Sequence, residues 1–335
     1  MRILLTGASG FIGSALAPTL LAEGHELRAF SREPARVHAA LAAYDGRGAS
    51  VLTTWDPQTA RDATVVEAIE VVRGDVLTGE GLARALAGVE VAYYLIHSME
   101  DTLGSASPGG FDERERVAAG TFATHAQRAG VKRIVYLGGL LPRSGRVSRH
   151  LASRAEVEQI LSEHVPDSVA LRAAIVIGSR SRSFRLLVRL VERMPVLTLP
   201  AWRRFRTQPI DVRDTIEMLA AAARLASVGG RTLDIGGPEP LTYEEMMRRI
   251  AELLLLPRPM LGVGVTMTPL TAHLAAALAG EDPALVLPLM EGLQGDLLPA
   301  HDHAAKLLGV ELHSFDNAVE CALREWEAAE PLVAR

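Results

Sequence analysis

Three glycines, Gly7, Gly10 and Gly13, recur at three-residue spacing in TGASGFIG, directly behind the apolar run RILLT. Residues without side chains let a backbone turn sharply and come close to a bulky anion. A helix opening on such a turn offers unpaired N–H groups and a positive dipole end to phosphate. A second constellation is His150 and Arg154 in RHLASR. Four residues apart, they share one helix face. There they combine an imidazole suited to acid/base work, with an ordinary pKa near about 6.5, and a permanent cation. His97 and Ser98 close the apolar run VEVAYYLIH and its continuation, where a substrate carbonyl or a cofactor ring could be met.

The glycine spacing is a weak signal alone. It gains weight because it sits at a strand end and opens a helix. Ser9, Phe11 and Ile12 fill the turn, so their backbone joins the three glycines in the expected phosphate contact. The structural alternative is a plain glycine turn. The second strand ends ELRAFSRE, with no acidic residue where NAD-specific proteins hold the ribose hydroxyls. Ser31 and Arg32 stand there instead, with Arg36 a further contact. An arginine grips a 2′-phosphate and a carboxylate repels it, which favours NADP(H) over NAD(H). Glu33 falls beyond the strand end. The competing reading of Arg32 is a solvated side chain in a chain whose only lysines are Lys132 and Lys306. Asp75 and the Val76 backbone follow the third strand, where adenine would lie. A simple turn Asp is an equal alternative.

The elements that must position these groups alternate strand and helix through about residue 178, which signifies a Rossmann-type, doubly wound parallel α/β sheet. Segments up to about residue 235 are expected to complete the sheet. Residues 179–335 read as substrate-side segments and a smaller, mainly helical C-terminal lobe. Pro18 falls inside the first helical pattern, and Thr242 is a plausible helix cap. A net charge of −5 gives no general pull toward nucleic acid. The single cysteine, Cys321, rules out an intrachain disulfide or a Cys-based metal framework and fits a reducing cytoplasm. No metal is expected. Residues 259–280 hold no Asp, Glu, Lys or Arg. Their prolines, glycines and His273 suit a buried lobe helix, or else a membrane-surface or partner-binding element, better than a membrane span. The partners expected are a small-molecule substrate or effector, with self-association left open.

From residue 1 to roughly residue 230 the chain resembles the atypical, extended short-chain dehydrogenase/reductase superfamily. TGASGFIG, AFSRE, RGDV, YYLIHSM, GVKRIVYLGGL and RAAIVIG carry the likeness in order. It looks particularly like an NmrA-like or epimerase-like bacterial group, through Tyr94–Met99, His150–Arg154 and Thr207–Ile210. The resemblance implies cofactor binding on the N-terminal domain. It also implies a catalytic tyrosine with a lysine four residues later, backed by a Ser or Thr on the preceding strand. This chain has no YxxxK, and its strand ends Leu137-Gly138-Gly139. His150 and Arg154 are the replacement candidates, with Ser98 or His97 beside them. Arg154 would hold the nicotinamide ribose. Gln208, Pro209 and Ile210 would help close the pocket. Arg180, Arg182 and Arg185 could meet cofactor phosphates or an anionic substrate, and Asp211 and Asp214 could pair with local arginines. Two functions follow. One is an NADPH-dependent oxidoreductase on a small or hydrophobic carbonyl or unsaturated metabolite. The other is an NADP(H)-binding redox sensor or assembly protein without turnover.

Overall fold

The computed structural model describes residues 1–42, 65–97, 110–143, 147–264, 295–301 and 303–329. Its main sheet is seven parallel strands: β1 (Arg2–Thr6), β2 (Glu26–Ser31), β3 (Ile69–Arg73), β4 (Val91–Tyr94), β5 (Arg133–Gly139), β6 (Val169–Ala173) and β11 (Thr232–Ile235). Their order across the sheet is β11-β6-β5-β4-β1-β2-β3. The chain therefore runs one way from β1 to β3, then jumps back past β1 to continue the other way. Ligands bind at the crevice this reversal opens, outside the carboxyl ends of β1 and β4. Leu5 lies opposite Ala29 on one side and Tyr93 on the other.

Continuous apolar runs form these strands because both faces are covered. On one face α1 (Phe11–Ala22), α2 (Pro34–Ala42), α7 (Val212–Arg224) and α9 (Ala304–Leu308) pack against Ile3, Leu5, Tyr93 and Val135. On the other, α3 (Leu82–Leu86), α4 (Phe111–Arg128) and α5 (Arg149–His164) cover Leu4, Phe30, Tyr94 and Tyr136. Thr6 ties the two central strands. Its hydroxyl donates to Tyr93 O at 2.8 Å and accepts from Leu95 N at 3.2 Å. Buried Arg133 donates to the carbonyls of Ala222 and Leu225, satisfying the last turn of α7, and pairs with Asp167. Pro18 lies buried within α1, which runs on to Ala22. Since Pro18 has no N–H, the Ser14 carbonyl lacks its fourth-residue donor.

A second core belongs to the later chain. The short strands β7 (Val176–Ile177), β8 (Leu197–Leu199), β9 (Arg206–Thr207), β10 (Ile210–Asp211), β12 (Leu241–Thr242) and β13 (Met260–Gly262) pair two by two. Around them stand α6 (Arg182–Arg193), α8 (Tyr243–Leu253) and α10 (Phe315–Ala329), which bury Phe184, Tyr243, Phe315 and Trp326. The cap expected at Thr242 is a full capping box with Glu245. Of residues 259–280, those after Gly264 lie outside the described residues. Among the described residues no helix is long and apolar enough to cross a membrane.

Candidate dinucleotide and active site

Gly7 adopts φ +71°, and a Cβ there would stand 2.5 Å from Leu95 O at the end of β4. A Cβ on Gly13 would meet Gly7 O at 2.3 Å. Both contacts fall well inside van der Waals separation, so only glycine lets the β1 turn, the β4 end and α1 converge. Gly10 N donates to Gly7 O at 2.9 Å, and Ser14 N to Gly10 O at 3.0 Å. The N–H groups of Phe11, Ile12 and Gly13 precede the first intrahelical bond, and Gly10 provides no side-chain cap. The first turn also lacks an acidic residue. This cradle fits a dinucleotide pyrophosphate in shape and in the sign of its charge.

At the end of β2, Ser31 Oγ accepts from Glu33 N at 3.1 Å, shaping the turn. Arg32 is exposed and makes no ion pair among the described residues. Arg36 lies 3.8 Å from Glu33, both well exposed. The Asp75 carboxylate accepts from Leu77 N at 2.9 Å, so one of its oxygens serves the turn itself. Val76 is buried.

Ser148 caps α5 by accepting from Leu151 N at 3.3 Å, and so starts the helix that carries His150 and Arg154. Arg154 Nε donates to His150 Nε2 at 2.9 Å, and its Nη1 lies 3.5 Å from His97 Nε2. The β4 end and α5 are thus bridged by one guanidinium between two imidazoles. Tyr136 Oη donates to the Arg154 carbonyl at 3.3 Å and backs the helix from β5. Because His150 Nε2 accepts, its proton rests on Nδ1, which is buried and has no protein partner. Burial, and then the Arg154 charge, push the His150 pKa down to about 3. His97 is also held well below the ordinary value, by burial and then by Arg154. The His150 ring is thus held in its neutral form. Ser98 lies outside the described residues.

At the glycine where a Ser or Thr was looked for, side chains of α5 come close. A Cβ on Gly139 would lie 2.8 Å from Leu151 Cδ2 and 3.6 Å from Arg154 Cδ. A side chain there would therefore need the Leu151 methyl to move aside. Tyr136 was missed as a support because its only sequence test was the absent lysine four residues on.

On the later segments, Gln208 Nε2 donates to Gly237 O at 2.6 Å, and Gly237 N to Pro209 O at 3.1 Å, fixing the turn before Ile210. The arginines diverge. Arg185 stacks over Trp326, with its guanidinium carbon 4.3 Å from the ring centre. Arg203 pairs with Glu244, and Arg206 with Asp296 at 2.8 Å. Arg180 donates to Ser14 Oγ at 2.9 Å, in the first turns of α1. Asp211 pairs with Arg213, as expected of a local arginine. Asp214 instead takes His313, accepting from its backbone N at 2.9 Å and bonding its Nδ1 at 2.5 Å, which corrects the arginine pairing expected there. Among the described residues, no group of His, Cys, Asp and Glu is arranged to hold a metal ion.

The strand order and the switch-point cradle define a Rossmann-type α/β fold. Residues 3–141 match the NAD dependent epimerase/dehydratase family. A 3-beta-hydroxysteroid dehydrogenase from Mycolicibacterium neoaurum is 31% identical over 140 residues, covering 40% of this chain and 31% of that protein. A 3 beta-hydroxysteroid dehydrogenase/Delta 5→4-isomerase from Mycobacterium tuberculosis (strain CDC 1551 / Oshkosh) is 26% identical over 280 residues, covering 75% of this chain and 69% of that one. The match thus spans under a third of the first relative's length. Among solved structures, a Citrobacter triphenylmethane reductase complexed with NADP(H) superposes with a TM-score of 0.70. It shares 17% identity and covers 96% of this chain and all of that one (100%).

Proposed function

We propose that this chain is an NADP(H)-dependent oxidoreductase acting on a small or hydrophobic carbonyl or unsaturated metabolite in the cytoplasm. The observation that carries it is the glycine cradle between β1 and β4, kept clear at Gly7 and Gly13 and backed by the free N–H groups of α1. The 2′-phosphate preference rests on Arg32, a cation without an ion pair among the described residues at the end of β2. Asp75 and the Val76 backbone would meet the adenine side, with Ser31 and Arg36 flanking the ribose phosphate. When bound, the nicotinamide supplies hydride-transfer chemistry. The chain's own part is positional and electrostatic. Arg154 holds the ribose side and keeps a permanent positive charge beside the reacting centre. His150 fixes that guanidinium through Nε2, and its proton stays on Nδ1. His97 borders the substrate carbonyl. The steroid activity in the relatives' names supports an apolar carbonyl as the class to screen first.

The test is a binding titration with NADPH, NADP+, NADH and NAD+, wild type beside Arg32→Ala. A charge-assisted contact of about 1.5–3 kcal/mol predicts that the variant loses roughly 10- to 100-fold in NADPH affinity. Its NADH affinity should be unchanged. Equal wild-type affinity for NADH and NADPH would refute the preference. His150→Ala and Arg154→Ala then enter a carbonyl screen, where lost turnover with retained NADPH binding supports the site.

A second reading is a redox sensor or assembly protein that binds NADP(H) without turnover. It is favoured by the missing tyrosine–lysine pair and by the occupation of His150 Nε2 by Arg154. Such a protein would bind cofactor, discriminate NADP+ from NADPH, and reduce nothing in the same screen.

A further inference from the structure

The segment after β7 leaves the second lobe and lies directly on the cofactor cradle. A Cβ on Gly178 would stand 2.6 Å from the Phe11 ring, so the chain crosses the first residue of α1 without a side chain between. Two residues on, Arg180 Nη1 donates to Ser14 Oγ at 2.9 Å. That hydroxyl in turn donates to Gly10 O at 2.7 Å. Arg180 is exposed and makes no ion pair among the described residues. The Glu325 carboxylate accepts from the hydroxyl of the neighbouring Ser179 at 3.0 Å through one oxygen, and its other oxygen is buried without a hydrogen-bond partner among the described residues.

A full cation is therefore latched beside the positive end of α1, with no carboxylate in the first turn. Two like charges held side by side are unfavourable in the empty protein. An anion seated on the N–H groups of Phe11, Ile12 and Gly13 reverses the sign of that interaction. Arg182 and Arg185 do not share this position. They belong to α6, and Arg185 is stacked on Trp326.

We infer that Arg180 is a pyrophosphate-binding residue, supplied to the cradle from outside the glycine motif by the strand-to-helix turn after β7. This rests on the cofactor reading above and extends it to a residue beyond the 3–141 match. The phosphates would lie between the α1 amides and the guanidinium, and the Ser14 bond aims the side chain there in advance. The assignment separates two recognition tasks: Arg180 reads the bridging phosphates common to both dinucleotides, and Arg32 reads the 2′-phosphate.

Two fragments separate them in a calorimetric titration. ADP carries the two phosphates, and adenosine 2′-monophosphate carries only the 2′ one. Arg180→Ala should weaken ADP, NAD+ and NADP+ by roughly 10- to 30-fold, as expected when one charge-assisted bond is lost. It should leave adenosine 2′-monophosphate unchanged. Arg180→Lys should recover part of the loss, and Arg32→Ala should show the opposite fragment pattern. The empty Arg180→Ala protein should melt no lower than wild type, because it loses a repulsion along with one part-buried bond, and Ser14 Oγ still donates to Gly10 O. Wild-type ADP affinity in Arg180→Ala overturns the assignment. So does an equal loss for both fragments with no recovery by lysine, since that marks a purely structural latch. A wild-type protein that binds no dinucleotide overturns the cofactor reading itself, and this assignment with it.

Discussion

His150 shows how a side chain's neighbours decide its chemistry. Its residue type and its spacing to Arg154 suggest an acid/base group. The guanidinium on Nε2 and the dry surroundings make it a neutral spacer that orients a cation. The consequence for stability has a definite sign. In the unfolded chain His150 takes up a proton below about pH 6.5. In the folded chain it resists until about 3. Between those values the unfolded state binds more protons, so acidification destabilises the fold. His150 alone contributes a slope of about 1.4 kcal/mol per pH unit there. A His150→Gln protein should therefore lose less melting temperature between pH 7 and pH 5 than wild type does. An equal loss in the two proteins would show that His150 is solvated. The roles of Arg32 and Arg180 belong to this scale too, because each rests on one guanidinium left without a carboxylate among the described residues.

At the level of elements, the determining feature is the meeting of β1, α1 and β4 at backbone contact. Gly13→Ala would place a methyl group 2.3 Å from Gly7 O, so the turn must open. We expect a loss of about 1–3 kcal/mol in stability, the usual cost of overpacking. Dinucleotide affinity should fall at least tenfold, read by urea unfolding and by titration. A variant that keeps both would mean that the cradle is looser than its geometry. Much of this level was legible in the sequence. The glycine spacing behind RILLT located the cradle, and the apolar runs located every strand of the main sheet up to Ala173. Thr242 was legible as a cap, though its reciprocal bond with Glu245 was not. What stayed hidden depends on non-local approach. Nothing around Gly139 says that Leu151 will close on it, and nothing around Asp214 says that His313, far along the chain, will be its partner. The two-residue strands were invisible because periodicity needs more than two residues to register.

At the scale of the molecule, the second core is assembled from segments far apart in sequence, with α10 laid across α6 and α8. Trp326 is the hinge of that packing. It is buried, and Arg185 and Arg189 stack on its ring at 4.3 and 4.8 Å. Trp326→Ala should cost about 3–5 kcal/mol. Because Ile177 of β7 belongs to the same core, cofactor affinity should fall with it. Urea unfolding followed by intrinsic fluorescence and by bound-cofactor signal should then show both transitions moving together. If only the fluorescence transition shifts, the two cores are energetically separate.

The bond from Glu325 of α10 to Ser179 bears on the order in which the protein is made. The glycine turn leaves the ribosome early, at roughly 5–20 residues per second of synthesis. The turn carrying Ser179 and Arg180 gains its support from α10 only about a hundred and fifty residues later, since these partners are 146 positions apart. A nascent chain therefore presents the phosphate-binding amides long before the side of the cradle contributed by Arg180 is braced. If Arg180 holds the phosphates as inferred, firm retention of the dinucleotide is deferred until the second lobe has closed.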